Sequence, residues 1–148
     1  MQILNCFVIT PSGKNPPMRL VADDKYGLIV APSSCKTDHA PKEISVNFEE
    51  VYENIILSAI NEINRNHPKV KIECTRGEDL TQGGNIVSQF LQKICRAEIT
   101  VTDVTGLNPN VLLEYGVRLT VRDTLNILLC HEGMLLPIDI ADQRFIPY

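Results

Sequence analysis

Residues 99–118 read ITVTDVTGLNPNVLLEYGVR, and this stretch decides the fold. The β-branched run at 99–101 predicts a strand that ends near Asp103. Asn108 followed by Pro109 is typical of a helix start, because asparagine is a good N-cap and proline fits the first helical position. The helix that follows is apolar around most of its circumference, which predicts that it is buried. A strand, a short turn and a buried helix indicate one unit of an α/β fold.

The main polar stripe of this helix consists of Asn110, Glu114 and Arg118, which are spaced by four residues and therefore lie on one face. A carboxylate in an apolar helix needs a partner, a cavity or water, because burying it unpaired is costly. Either the stripe lines a cleft, or Glu114 and Arg118 form an intrahelical ion pair at a solvated edge. The spacing alone is compatible with both interpretations.

The composition is typical of one globular domain. A chain of 148 residues can bury a sizeable core, and 44% hydrophobic with 22% charged residues is ordinary for this class of protein. The net charge of −4 and the scattered basic residues argue against a nucleic-acid partner. There is no apolar run near membrane-spanning length, and Met1 leads directly into a strand-like segment. We therefore expect no membrane partner and a cytoplasmic location.

The five cysteines and three histidines do not suggest a metal site. They include no CxxC pair and no Cys/His cluster at metal-ligand spacing. We therefore predict no metal, no cofactor and no catalytic Cys–His pair. Four of the cysteines lie in apolar segments and are predicted to be small core residues, whereas Cys35, in a polar loop, is predicted to be exposed.

Strand patterns and helix patterns alternate along the chain. Segments 3–9, 70–74, 99–103, 125–130 and 144–146 predict strands, and segments 45–65, 86–95 and 109 onward predict helices. This alternation predicts an α/β fold with a doubly wound, flavodoxin-like or Rossmann-like sheet. We expect four to five mainly parallel strands with helices on both faces. Residues 70–74 alternate apolar with charged side chains, which indicates a more peripheral strand.

Residues 15–45 interrupt this alternation. They contain four prolines and one short hydrophobic patch, 26–31, that could form a strand or a hairpin. The remainder reads as a long irregular insertion, and such insertions inside a domain are usually functional or partly disordered. We interpret it as a lid or an oligomer arm within a single domain spanning 1–148, because it is too short to form a second core.

In a doubly wound sheet, ligands bind at the carboxyl ends of the strands where the strand order reverses. Loops after three predicted strands should converge there, and they supply the candidate substrate-binding residues Pro11, Ser12, Gly13, Arg76, Asp79, Asp103, Asn108 and Asn110. The first loop matches neither the Walker nor the GxGxxG spacing, so its sequence alone favours an ordinary turn over a phosphate-binding loop. The alternative for Arg76 and Asp79 is a solvated charged loop. Tyr52 either packs in the core or reaches the cleft.

A family resemblance is spread over most of the chain outside residues 15–44. Its residues are FVITPSG at 7–13, VNFEEVY at 46–52, Arg76 with Asp79, DVTG at 103–106, NPNV at 108–111, EYGVR at 114–118, and LPID at 136–139 with Arg144. This series resembles the nucleoside 2-deoxyribosyltransferase-like superfamily, which is related in fold to TIR domains. The resemblance implies that Glu114 is the catalytic glutamate, which attacks or stabilises the anomeric carbon of a ribosyl or deoxyribosyl group.

The chain departs from the characterised transferases of this superfamily at two positions. Asn108 stands where they have an aspartate that holds the sugar hydroxyl, and Gln92 is the nearest polar counterpart of a further acidic residue. An amide can bond a hydroxyl but cannot act as a base, so hydrolysis of a nucleotide or NAD is expected rather than transfer between bases. Arg76 and Arg118 would suit a phosphate-bearing substrate. Relatives often complete the cleft with a neighbouring subunit, which implies a homo-oligomer.

Two other functions fit the same residues. A catalytically silent nucleotide-sensing or assembly module would keep the pocket and bind a signal without turnover. A flavodoxin-like scaffold for protein contacts would neither bind nor turn over a nucleotide.

Overall fold

A computed structural model describes residues 1–11, 18–23, 27–30, 44–80, 86–121 and 124–148. Its strands are, in chain order, β1 Gln2–Ile9, β2 Met18–Asp23, β3 Gly27–Val30, β4 Ile44–Val46, β5 Val70–Arg76, β6 Ile99–Asp103, β7 Leu125–Cys130 and β8 Phe145–Pro147. Five of them form a sheet in the order β5-β1-β6-β7-β8, in which all neighbours are parallel. The predicted doubly wound α/β fold is confirmed, and β5 lies at the edge as expected.

The strand order reverses between β1 and β6. From β1 the chain continues to β5 on one side, and the later strands are added on the other side, beginning with β6. The carboxyl ends of β1 and β6 are therefore the switch point at which such sheets hold ligands.

Helices cover both faces of the sheet. A long helix consists of α1 Phe48–Val51, a π-helical segment Tyr52–Leu57 and α2 Ser58–Asn66; the later helices are α3 Ile86–Arg96, α4 Pro109–Val121 and the short α5 Ile138–Ala141. The long helix packs against Cys6 and Val8 of β1, while α3 and α4 pack against Phe7 and Ile9. Successive strand residues point to opposite faces, so β1 contributes to both cores. Within the described ranges, no helix is long and apolar enough to cross a membrane.

The long helix begins later than the sequence pattern predicts. Residues 44–46 form β4, which pairs antiparallel with β2, and the first helical residue is Phe48. Asn47 is the N-cap, because its side-chain oxygen accepts a hydrogen bond from the Glu49 N–H at 3.1 Å. The predicted start at residue 45 was wrong because strand pairing takes precedence over the helical pattern there.

The predicted irregular insertion contains regular structure. Strands β2, β3 and β4 form an antiparallel sheet in the order β3-β2-β4, so 27–30 do belong to a hairpin. Leu20 and Val46 from this small sheet are buried in the same core as the long helix. The description of 15–45 as irregular was therefore wrong for these strands. None of the four prolines lies within a strand, so the prolines do not interrupt the backbone hydrogen bonds of the small sheet. Cys35 and residues 24–26 lie outside the described residues.

The cysteine predictions hold in part. Cys6 and Cys130 are buried and Cys74 is half-buried, whereas Cys95 is exposed. Cys95 follows Ile94, which is fully buried on the inner side of α3. One residue along a helix turns the side chain by about 100°, so Cys95 lies on the outer side and its prediction as a core residue was wrong.

Arg118 joins α4 to its neighbours from a fully buried position. Its Nη1 donates to the carbonyl of Ile94 at 2.6 Å, Nε donates to Oδ1 of Asn126 at 3.0 Å, and Nη2 donates to Thr124 Oγ1. Ile94 lies in the last turn of α3, where the negative end of the helix dipole offsets part of the buried charge. Asn126 Oδ1 also accepts from Thr100 Oγ1 at 2.6 Å, so the network links α3, α4, β6 and β7.

We expect Arg118→Met to lower the free energy of unfolding by about 3 kcal/mol, because it leaves buried oxygens without donors. Urea unfolding followed by circular dichroism measures the change. Arg65→Met is the matched control: this exposed arginine in α2 bonds only the Asn61 carbonyl among the described residues, at 3.3 Å, so its loss should cost less than about 0.5 kcal/mol. Equal losses in the two variants would contradict the buried network.

Candidate functional site

A cavity of about 270 Å³ lies at the switch point of the sheet. Its walls come from the end of β1, the turn after β5, one residue of α3 and the first turns of α4. The lining residues are Val8, Ile9, Thr10, Pro11, Gly77, Phe90, Asn108, Asn110, Val111 and Glu114. Of the candidate site residues, the structure thus brings together Pro11, Asn108, Asn110 and Glu114.

Glu114 is the one acidic residue among the described lining residues. The described part of the chain offers its carboxyl no hydrogen bond and no ion pair, and Glu114 is half-buried. Burial raises its pKa from 4.5 to about 7, because the charged form loses hydration. The structure therefore favours the cleft interpretation of the polar stripe over an ion pair between Glu114 and Arg118.

Asn108 caps α4 at the mouth of this cavity. Its Oδ1 accepts from the Asn110 N–H at 2.9 Å, and its backbone carbonyl accepts from the Leu112 N–H at 3.0 Å. Pro109 is the first helical residue, so the predicted N-cap and first-turn proline are confirmed. The cap uses the oxygen of the Asn108 side chain, and no described residue accepts a hydrogen bond from its amide nitrogen, which carries two donors.

Asp103 does not line the cavity, although the sequence pattern placed it among the substrate-binding residues. It has no exposed surface. One carboxylate oxygen accepts from the Thr105 N–H at 2.9 Å and the other from the Tyr148 hydroxyl at 2.8 Å. Burial raises the pKa of Asp103, and these hydrogen bonds partly oppose that rise. The Asp103 carboxylate thus accepts hydrogen bonds that stabilise the turn leading into α4.

Tyr148 is a structural residue that the sequence pattern did not indicate. Its hydroxyl lies 3.0 Å from Thr105 Oγ1, which also accepts from the His131 N–H at 2.8 Å. The rings of His131 and Tyr148 make an edge-to-face contact. Tyr148 is separated from Asp103 by 45 positions, and no local pattern signals such a distant contact.

Arg76 and Asp79 were candidates for ligand contacts, but Arg76 attaches β5 to the long helix and Asp79 bonds Arg76 in the turn after β5. The Arg76 guanidinium donates twice to the Glu49 carboxylate, at 2.6 and 3.0 Å, and lies 4.5 Å from the centre of the Tyr52 ring. The Arg76 N–H donates to Asp79 Oδ2 at 3.1 Å. Tyr52 is buried, which confirms packing rather than contact with the cleft. Neither Arg76 nor Asp79 lines the 270 Å³ cavity.

Phe90 and Gly77 form a wall of the cavity that the sequence pattern did not indicate. The Phe90 ring packs edge-on against Phe7, with centroids 5.0 Å apart. A Cβ atom on Gly77 would lie 2.5 Å from the Phe90 ring, so the absence of a side chain at 77 lets the ring approach β5. The helical spacing of Phe90 in α3 predicts only that it packs, and its place in the cavity follows from the tertiary fold.

Ser12 and Gly13 are outside the described residues. Arg118 is engaged by Ile94, Thr124 and Asn126, and it does not reach the cavity. Gln92 and Asp79 line a larger cavity, of about 510 Å³, between α3 and the strands β1 and β5.

In the described ranges, no group of three or more histidine, cysteine, aspartate or glutamate side chains is arranged to hold a metal ion. Comparisons of the chain with protein-family models, with curated proteins and with solved structures found no match. A functional assignment therefore rests on the geometry of the cavity.

We expect Glu114→Gln to stabilise the protein above pH 7. A carboxyl whose pKa rises from 4.5 to about 7 on folding destabilises the folded state progressively as pH increases through that window. Partial exposure reduces the effect, so the gain at pH 8 should be about 2 kcal/mol and should vanish near pH 4.5.

Urea unfolding at the two pH values measures this difference. Glu53→Gln is the matched control, because Glu53 is exposed on the long helix and should change stability by no more than about 0.5 kcal/mol at either pH. A Glu114→Gln variant that is destabilised at pH 8 would mean that the carboxylate has a stabilising partner.

Proposed function

We propose that this protein is an N-glycosidase-type enzyme that cleaves the bond between base and ribose or deoxyribose in a nucleotide or NAD. The observation that carries the proposal is the half-buried carboxyl of Glu114 in a cavity at the switch point of the sheet, with no hydrogen bond or ion pair from the described residues. An uncompensated carboxyl with a strongly raised pKa in a cleft is a recognised mark of a functional site. The family resemblance of residues 108–118 supports the same assignment.

The chemistry of N-glycoside cleavage needs a carboxylate at this kind of position. As the base departs with the bonding electron pair, positive charge develops on the anomeric carbon and the ring oxygen. The ionised Glu114 either stabilises this cation electrostatically or attacks the anomeric carbon, after which water releases the sugar. Weak solvation of the carboxylate strengthens its interaction with the developing charge.

Other lining residues suit the two parts of such a substrate. The Asn108 amide nitrogen and the Thr10 hydroxyl are groups that can hydrogen-bond a sugar hydroxyl. The face of an aromatic ring such as that of Phe90 is a suitable surface for a planar base. A volume of about 270 Å³ is at the small end of ligand cavities, which span about 300–1,000 Å³, so it suits one nucleoside-sized group with phosphates extending outside.

Hydrolysis is favoured over transfer between two bases. Returning a sugar to a second base requires proton transfer to and from that base, and the described lining residues include two amides but one carboxyl. Water needs less assistance once the cation has formed.

A second candidate function is nucleotide sensing without turnover. Arg76 and Arg118, which would suit a phosphate, are engaged by protein groups, and Glu114 is the one titratable group among the described lining residues. A module of this kind would bind a nucleotide in the cavity without cleaving it.

We further expect a homo-oligomer. Leu113 on α4 and Val87 on α3 are exposed large apolar side chains, which an oligomer contact would remove from water. Light scattering coupled to gel filtration determines the state.

Incubation of the purified protein with NAD and a panel of ribonucleotides and deoxyribonucleotides should release free base from at least one compound, as measured by chromatography. The ionised carboxylate is the active form, so kcat/KM should rise with pH and level off above about 7. Glu114→Gln should lower kcat/KM by about 100-fold or more, while Glu53→Gln should retain wild-type activity.

The same panel in a thermal-shift assay separates the two functions. Stabilisation of the wild-type protein by a nucleotide, with no base release from any compound of the panel, would support the sensing module and reject the enzyme. Base release that survives in Glu114→Gln would also reject the assigned role of this carboxyl.

A further inference from the structure

Two cysteines face one another across neighbouring strands. Cys6 of β1 and Cys74 of β5 are register partners in the parallel sheet, and both belong to the core on the side of the long helix. Neighbouring strands are separated by about 4.8 Å, which falls within the Cα separation of about 4.4–6.8 Å that a disulfide requires. The two side chains therefore lie on the same face of the sheet.

The surroundings of the pair distinguish the two sulfurs. The Tyr52 hydroxyl donates to Cys74 Sγ at 3.9 Å, and the Arg76 guanidinium lies over the same tyrosine ring. The hydrogen bond from Cys6, that from Tyr52 and the positive charge of Arg76 lower the pKa of Cys74, against burial and the charge of Asp79. The Cys6 thiol, in contrast, has a raised pKa because it donates to Cys74 and is buried.

The exposed fractions of the two cysteines also distinguish Cys74 from Cys6. Cys74 is half-buried on the edge strand β5, whereas Cys6 is only 2% exposed on the next strand inward, β1. Cys74 is therefore the more accessible residue of the pair for a small oxidant. This combination of an accessible thiol stabilised as thiolate and an adjacent second thiol is the arrangement of reversible cysteine oxidation sites.

We propose that Cys74 and Cys6 form a peroxide-sensitive thiol pair, in which Cys74 is oxidised first and Cys6 resolves it into a disulfide between β5 and β1. This site is independent of the cavity at Glu114.

The reaction proceeds in two balanced steps. The Cys74 thiolate attacks one oxygen of hydrogen peroxide, the O–O bond breaks, and the products are a sulfenic acid and hydroxide, which takes a proton to form water. The Cys6 sulfur then attacks the Cys74 sulfur, the S–O bond breaks, and the departing hydroxide takes the Cys6 proton. The two thiols are oxidised by two electrons and one peroxide is reduced to two waters. A dithiol reductant reverses the change.

The test begins by treating the full chain with hydrogen peroxide. The remaining thiols are then alkylated, and peptide mass spectrometry identifies the oxidised cysteines. The expected product is a Cys6–Cys74 disulfide that dithiothreitol removes. The comparison is made in the wild-type protein, so it does not depend on how a variant folds. The exposed Cys95 is an internal reference: it should be oxidised more slowly than Cys74.

Variants assign the individual steps. Cys6→Ser should accumulate a sulfenic acid at Cys74, which dimedone traps. Tyr52→Phe removes one hydrogen bond to the Cys74 sulfur, and this loss should slow the oxidation of the Cys74 thiol by about fivefold. Circular dichroism checks that each variant is folded. The proposal is overturned if wild-type Cys74 stays reduced at a peroxide dose that oxidises Cys95, or if Cys74 is oxidised without pairing with Cys6.

Discussion

Asp103 combines complete burial with a negative charge, and the turn between β6 and α4 is built around it. The carboxylate would be costly without donors, but the Thr105 N–H and the Tyr148 hydroxyl each bond one oxygen. Two residues of the turn, Gly106 and Leu107, adopt positive φ values of 74° and 53°, and the left-handed conformation is unfavourable for leucine. The hydrogen bonds of Asp103 hold this strained turn and so determine where α4 begins.

The position of α4 in turn determines the environment of Glu114. Asn108 caps the helix at the cavity mouth, and Glu114 enters the cavity from the second turn. At the other end, Arg118 anchors the helix to α3 and β7. The two carboxylates of this stretch therefore differ in kind: Asp103 is deeply buried and hydrogen-bonded, whereas Glu114 is half-buried and has no partner among the described residues. That difference favours a structural role for the first and a chemical role for the second.

Much of the fold could be predicted from the sequence, because the strand and helix patterns of residues 3–9 and 99–130 are strong and local. The N-cap at Asn108 and the peripheral strand β5 follow from residue type and alternation. A strand or hairpin at 26–31 was one of the open alternatives, but β2 and β4 were missed because their pairing joins residues far apart in the chain. Likewise, Arg76, Asp103 and Arg118 are polar residues at the places where ligand contacts are expected, and only the tertiary fold shows their protein partners. Pro11, Asn108, Asn110 and Glu114 were brought together correctly because the carboxyl ends of parallel strands must meet at one edge.

The most direct test of the site is a carbon-13 NMR titration of the Glu114 side-chain carboxyl, assigned by its absence in Glu114→Gln. We expect ionisation with a midpoint of about 7 in the free protein. A nucleoside bound in the cavity should perturb the same resonance. A midpoint near 4.5, unchanged by every nucleoside and nucleotide of the panel, would contradict the assignment of this cavity as a substrate site.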